Sequence, residues 1–296
     1  MTETLPMPIT APLTHAQRTQ LINLVRRAAR TEILPRFRAL RGDEIDTKSG
    51  PDDLVTEADR NAEAMIARGI ARAFPNALIV GEEAVAKHPE LWDEIDSADL
   101  AFIIDPVDGT WNFANGLGVF GVIIAVTRFG RPVFGLLYDP ILDDWIIADE
   151  ENAAEFVRKN RPAARVHVSQ GGPIEGLSGY LPLALLPKDK QAEMAATFPD
   201  FNRVLNLRCS CHEFRMLAQG KMDFLVTGHL TPWDHAAGVI ICRQAGGHVA
   251  MLDGSDYTAG QRGGYVLAAP DAATWARLRD RFAFLLDGDA AENVEN

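Results

Sequence analysis

The chain has 296 residues, a formal net charge of -12 and 47% hydrophobic residues. That length can bury one large core or two fused halves, and the acidic balance argues against a broad nucleic-acid-binding surface. No stretch approaches the ~20 apolar residues of a membrane helix, residues 1–12 hold neither a basic region nor an apolar run, and Cys209, Cys211 and Cys242 make no disulfide framework, which together predict a cytoplasmic protein with reduced thiols.

Residues 1–13 are rich in Pro and Thr and read as a loose arm. Leu21, Leu24, Val25, Ala28 and Ala29 recur at helical spacing and predict a long amphipathic helix ending near residues 40–42. The polar segment 42–53, with Lys48, Ser49, Gly50 and Pro51, predicts a mobile loop. A second helix begins near Thr56, turns Met65, Ile66, Gly69, Ile70 and Ala73 to one face, and stops at Pro75-Asn76. Strand-like runs follow at 77–80 and at 101–104, the latter stopped by Asp105-Pro106. Runs 119–128 and 132–138 flank Gly130 as a β-hairpin, and 145–148 gives a further strand. Residues 149–165 are polar and uneven. They are the expected junction, inside a single domain spanning 1–296, between an N-terminal half of about 14–150 and a C-terminal half of about 165–290.

In the second half, 176–186 and 201–207 read as strands, 213–219 as a helix stopped at Gly220, and 223–226 as a short strand. Residues 235–245 read as a helix closed by Gly246-Gly247, followed by a strand at 264–268 and a helix at 272–286. The acidic tail, 287–295, is expected to fray. Strands and helices without regular βαβ alternation, and with no internal repeat, predict a layered α+β fold.

Acidic segments punctuate this pattern: Asp53-Leu-Val-Thr-Glu-Ala-Asp59, Gly81-Glu82-Glu83, Asp105-Pro-Val-Asp108-Gly-Thr110 and Trp233-Asp234. Asp105 directly follows the apolar Ile103-Ile104, where a carboxylate is costly unless paired or metal-bound. Gly109 permits close approach of backbone N–H groups to an anion, and Thr110 adds a hydroxyl. Each acid has a local explanation as well. The Asp105–Asp108 turn can spend its acids on backbone hydrogen bonds, Glu82-Glu83 can be solvated surface charge, Asp234 sits where a helix cap belongs, and Asp59 lies in a first helical turn, which favours negative charge. Together these explanations leave unexplained why the acids punctuate strand ends along the chain. Hard oxygen ligands select Mg²⁺, His-rich or Cys-rich ligation is absent, and paired metals can hold the attacking and leaving oxygens of a phosphoryl displacement.

With these motifs in order from Lys48 to Gly247, the chain resembles the inositol monophosphatase family, within the superfamily of fructose-1,6-bisphosphatases and 3′-phosphonucleotide phosphatases. Asp105-Pro-Val-Asp108-Gly-Thr110-Trp-Asn112-Phe113 is the most specific segment, followed by Trp233-Asp234-His-Ala-Ala-Gly238 with Gln-Ala-Gly-Gly247. The resemblance implies a layered αβαβα sandwich, usually a homodimer, with about two or three Mg²⁺ ions per site. It implies Glu82, Asp105 and the carbonyl of Val107 at the first metal, Asp105, Asp108 and Asp234 at the second, and Glu82 at a weaker third. Asp59 and Thr110 would activate the attacking water, with Glu82 completing the catalytic set. Asp108, Gly109, Thr110 and Asp234 would meet the substrate, Gly109 and Thr110 through backbone N–H groups on phosphate oxygens. Lys48 and Asp53 match the family's mobile loop.

The chain departs from the family pattern on the alcohol side. Thr227 stands where inositol-specific members carry a sugar-binding glutamate, and Arg208-Cys209-Ser210 replaces a small Gly-Thr/Ser-Ala segment. His212 and Glu213 are polar where the family is commonly apolar, and residues 150–155 replace a Gly-rich stretch. The expectation is therefore an Mg²⁺-dependent phosphomonoesterase acting on a small alcohol phosphate such as inositol monophosphate. Histidinol phosphate, a sugar phosphate or a 3′-phosphonucleotide are alternatives on the same apparatus. A non-catalytic regulatory binding protein is the alternative of a different class.

Overall fold

The computed structural model describes residues 13–40, 44–47 and 54–287. Lys48, Asp53 and most of the expected loop lie outside the described residues. Helix α1 (His15–Ala28) opens on Thr14, whose hydroxyl accepts from the Gln17 N–H while the Gln17 side chain accepts from the Thr14 N–H, a reciprocal cap. The predicted long helix does not run unbroken towards residue 40. It passes into a π-helical turn, Ala29–Ile33, and then into open turns. Pro35 is the cause, since it lacks an N–H and crowds the preceding turn.

Strands β1 (Ile45–Thr47) and β2 (Leu54–Thr56) pair antiparallel and lead into helix α2 (Glu57–Ala73). Strand β3 (Leu78–Gly81) is followed by two short helices, α3 (Glu82–Val85) and α4 (Glu90–Asp93). Strand β4 (Ala101–Asp108) lies parallel to β3 and is followed by the short helix α5 (Thr110–Ala114). Then come β5 (Gly121–Arg128), β6 (Arg131–Asp139), β7 (Asp144–Asp149), β8 (Asn152–Arg158) and β9 (Ala164–Arg165). Strands β3 to β9 form one seven-stranded sheet in sequential order, antiparallel from β4 onward. The β5–β6 hairpin turns through Phe129 (φ 47°) and Gly130 (φ 73°), both left-handed, the conformation that matches strand twist in a two-residue turn.

Residues 149–165, expected as a junction, extend this sheet as β8 and β9. The stretch reads as polar because it forms the sheet margin, where only one face is buried: Ala154 is inside while Asn152 and Arg158 are exposed.

The remaining elements are β10 (Ser178–Tyr180), α6 (Lys188–Thr197), β11 (Arg203–Leu205), α7 (Ser210–Ala218), β12 (Phe224–Thr227), α8 (Pro232–Gln244), β13 (His248–Met251), β14 (Val266–Ala269) and α9 (Ala272–Arg281). They build a five-stranded sheet of order β11-β10-β12-β14-β13. The strand expected at 176–186 shrinks to β10, because Pro182 starts a 3-10 turn at Leu183–Leu185. The last helix ends at Arg281 and continues as a 3-10 turn, Ala283–Leu286.

Strand periodicity sorts these elements into layers. On β4 to β6, Phe102, Ile104, Val122, Ile124 and Leu136 bury against α1 and α2, while Ile103, Ile123, Ala125 and Leu137 face α7 and α8. The same middle helices cover Leu225, Val266 and Ala268 of the second sheet, whose other face packs Phe224, Val226 and Leu267 against α6 and α9. The result is the expected αβαβα sandwich. Gly135 lets α8 lie close on β6, since a Cβ there would meet the Ala237 carbonyl at 2.6 Å. Arg215 of α7 is buried, donates to the Leu137 carbonyl at 2.9 Å and pairs with Asp144, locking α7 onto the large sheet.

Candidate active site

The acidic segments converge where strand ends meet helix starts. The β4–β5 pairing shifts register between Asp105 and Asp108. Within that irregularity the Val107 N–H donates to Asp105 at 3.1 Å. Asp105 and Asp108 are only 2% and 5% exposed. The first turn of α8 brings Asp234 alongside, and ligand atoms of Asp105, Asp108 and Asp234 all lie within 4.8 Å of one another.

This crowding is electrostatically expensive. Burial, and then the charge of Glu82, raise the Asp105 carboxyl well above its usual range, with Asp108, Asp234 and Asp59 adding to the shift. Burial and the charge of Asp234 push Asp108 up to about 7, against hydrogen bonds from Cys211, Cys209 and Ser210 that favour its ionised form. Stacked buried carboxylates of this kind fit a divalent cation held by hard oxygen ligands.

Glu82 opens α3 directly after β3, close enough for its charge to act on Asp105, but it is not one of the three mutually close ligands. Its turn is held from α2: buried Glu63 accepts from the Glu83 N–H at 2.8 Å, and a Cβ on Gly81 would collide with the Glu63 carboxyl at 2.2 Å.

Asp59 is buried in the first turn of α2. Its Oδ2 accepts from the Thr56 N–H at 2.9 Å and the Thr56 hydroxyl at 2.5 Å. Its Oδ1 lies 3.2 Å from the Thr110 hydroxyl, which is also 3.0 Å from the Val107 carbonyl. One hydroxyl proton can serve only one of those acceptors at a time. Gly109 (φ 87°) caps α5 in a left-handed conformation, and a Cβ there would meet the Val119 carbonyl at 2.8 Å, so the turn requires glycine.

Asp59 does lie in the first turn of α2, as its local explanation has it, whereas Asp234 is not the cap of α8. The caps themselves are Thr56 and Thr231, and each aspartate stands three residues later with one oxygen accepting from the threonine hydroxyl. Thr56 and Thr231 were missed as parts of the site, although the repeated Thr-x-x-Asp spacing is a readable signal. Glu63 was missed as well, and no sequence signal announces its reach to β3.

The segment 207–213 differs from expectation. Cys209 Sγ lies 3.2 Å from Asp108 Oδ2, and the N–H groups of Ser210 (at 3.2 Å) and Cys211 also reach that carboxylate. Glu213 was expected to add charge at the alcohol pocket. It is instead buried and accepts from the Leu207 N–H at 2.7 Å, and burial pushes it up to about 8. His212 turns to the Phe120 carbonyl at 3.1 Å. Arg208 is exposed, with its guanidinium 4.2 Å over the Trp111 ring. Thr227 is buried at the end of β12. Cys209, Cys211 and Cys242 are free and buried.

Residues 14–282 match the model of the inositol monophosphatase family. The chain belongs to the inositol monophosphatase family. It is 32% identical to a fructose-1,6-bisphosphatase/inositol-1-monophosphatase of Thermotoga maritima over 219 residues, 74% of this chain and 79% of the relative. It is 31% identical to the Nus factor SuhB of Vibrio cholerae over 235 residues, 76% and 81% of the two chains. Among solved structures, a Thermotoga maritima IMPase superposes with a TM-score of 0.76 at 25% identity, covering 92% of this chain and 98% of that one. The family is one of metal-dependent phosphatases acting on small phosphorylated substrates. Among the described residues no helix is long and apolar enough to cross a membrane.

Proposed function

We propose that this chain is an Mg²⁺-dependent phosphomonoesterase that hydrolyses a small alcohol phosphate by attack of water. The observation that carries this reading is the group of buried Asp105 and Asp108 with half-buried Asp234, whose ligand atoms lie within 4.8 Å of one another. An all-oxygen donor set favours Mg²⁺ over softer metals. Asp105, Asp108 and Asp234 would hold it, with Glu82 and the Val107 carbonyl beside them. Bound there, the cations neutralise phosphate charge and lower the pKa of water.

The chain's own residues supply orientation and proton transfer. Asp59 is fixed by two bonds from Thr56 and faces the Thr110 hydroxyl. Thr110 can accept a proton from water as its own proton passes to Asp59 Oδ1, a relay that needs no movement of either side chain. The N–H groups of Gly109 and Thr110 are assigned to phosphate oxygens. Asp108 and Asp234 would border both cation and substrate. Inositol monophosphate is the reference substrate, with histidinol phosphate, sugar phosphates and 3′-phosphonucleotides as alternatives. A cytoplasmic homodimer of single-domain subunits, divided near the end of β9, completes the reading.

Relatives named Nus factor SuhB favour a second role as a regulatory factor, which the acidic site neither requires nor excludes. Phosphate release over a panel of these esters with Mg²⁺ tests the first reading. Turnover of at least one ester is expected, and failure with every ester would overturn it.

A further inference from the structure

Helix α2 carries two carboxylates one helical turn apart, Asp59 and Glu63, both buried and on the same stripe as Ile66 and Ile70. Asp59 reaches the β4–α5 turn, where its Oδ1 lies 3.2 Å from the Thr110 hydroxyl. Glu63 reaches the neighbouring strand end instead, and its Oε2 accepts from the Glu83 N–H at 2.8 Å. Helix α3 opens on Gly81, which has no side chain to cap the first turn. Glu63 therefore satisfies, from another helix, an N–H that a cap residue would otherwise meet. A carboxylate buried among apolar side chains is costly unless it is bonded in this way.

The same contact explains Gly81. Its backbone is extended (φ -100°, ψ 152°), a conformation open to any residue. Yet the three nearest atoms that a Cβ would meet there are those of the Glu63 carboxyl, at 2.2, 2.3 and 2.6 Å. Glycine is demanded by the incoming carboxylate and not by the path of the chain. Gly81 also pairs in register with Ile104, the residue before Asp105. Glu82, which follows it, thus leaves the strand close enough for its charge to act on Asp105. The bond from Glu63 lands on the next residue and fixes the backbone from which the Glu82 side chain departs.

We propose that Glu63 is a positioning residue: by tying the Glu83 N–H it aims Glu82 at the acidic cluster and so sets the affinity of the site for a divalent cation. This rests on the cation-dependent reading above. The test is Mn²⁺ binding to the full-length protein without substrate, followed through the electron paramagnetic resonance signal of the free ion. Mn²⁺ shares the preference of Mg²⁺ for hard oxygen ligands. Glu63→Ala should weaken the tightest Mn²⁺ binding about 10- to 100-fold, the usual cost of losing a group that orients a metal ligand. Glu63→Gln keeps an oxygen acceptor and should restore most of the affinity. Gly81→Ala should match Glu63→Ala, because an alanine there has only to push the carboxyl off the Glu83 N–H. In the double variant Glu63→Ala with Gly81→Ala the two losses should not add, since both remove one contact. Additive losses, wild-type affinity in Glu63→Ala, or a Glu63→Gln as weak as Glu63→Ala would each overturn the proposal. Melting in excess chelator shows which variants fold, and if Glu63→Ala does not, Gly81→Ala and Glu63→Gln decide: wild-type affinity in Gly81→Ala overturns the proposal. A wild type that binds Mn²⁺ but hydrolyses no ester removes the hydrolase reading and leaves this one standing, whereas a wild type that binds no Mn²⁺ removes both.

Discussion

The two sides of the candidate site are built differently. On the cation side, Asp105 and Asp108 lie in the C-terminal half of β4, Asp59 and Asp234 lie in the first turns of α2 and α8, and each is held by backbone N–H groups or a threonine hydroxyl. On the alcohol side, the segment 207–213 turns Glu213 inward, His212 towards a carbonyl and Arg208 outward. The first side carries its acids on rigid elements, where small shifts would cost any coordination they provide. The second hangs on a loop, where side chains can change without moving the scaffold. On the proposed reading, chemistry and substrate choice would occupy separable parts of the molecule.

The sharpest way to break this division is to remove a cation-side carboxylate. Asp234→Asn and Asp105→Asn should abolish phosphate release. In Asp234→Asn the melting temperature should stay near that of the wild type, because Asn can still accept from Thr231. Near-normal turnover with unchanged melting would reduce Asp234 to a structural residue of α8. The next largest effect belongs to the proton relay. Thr110→Ala and Asp59→Asn should lower kcat by ~10²–10⁴-fold with little change in KM. An effect confined to KM would move both residues to substrate binding.

Most of the cation side was legible in the sequence because its signals are local. Acids that follow or end an apolar strand, a Gly109 that lets backbone N–H groups approach an anion, and acids in first helical turns are all short-range patterns, although β4 runs through Asp105-Pro106 to Asp108 instead of stopping there. The layered α+β class was legible from the order of strands and helices, and the αβαβα arrangement from the family resemblance. What escaped depends on distant contacts. Glu63 reaches the β3–α3 turn across 20 positions. Glu213 is buried on α7 and is satisfied by the Leu207 N–H, a contact across the preceding loop. Strands β8 and β9 were hidden because a sheet margin buries one face and leaves a polar sequence. The first helix was read too long because its apolar spacing outweighed Pro35.

A pH comparison sharpens the same contrast without mutating the site. Asp108 and Glu213 are raised to about 7 and about 8 by burial. A carboxyl whose folded value exceeds its unfolded value contributes stability at low pH and loses it as pH rises through the folded value. The chelator-treated protein should therefore melt at falling temperature between about pH 5 and 8, and Mg²⁺ should reduce that fall by neutralising the cluster. Melting that rises across this window without metal would contradict the buried-acid account. The smallest effect is expected on the alcohol side. Arg208→Gly relieves a left-handed residue, so it should raise stability by about 1 kcal/mol or less, and a clear destabilisation would show that the contact with Trp111 outweighs the backbone strain.

On the proposed reading, the dispersed acids converge on one cation-dependent phosphate-hydrolysing edge. Phosphate release from inositol monophosphate, followed with Mg²⁺, then with excess chelator, then with Mg²⁺ restored, tests it most directly. Activity should vanish with the chelator and return with the metal, whereas full turnover in excess chelator would contradict the account.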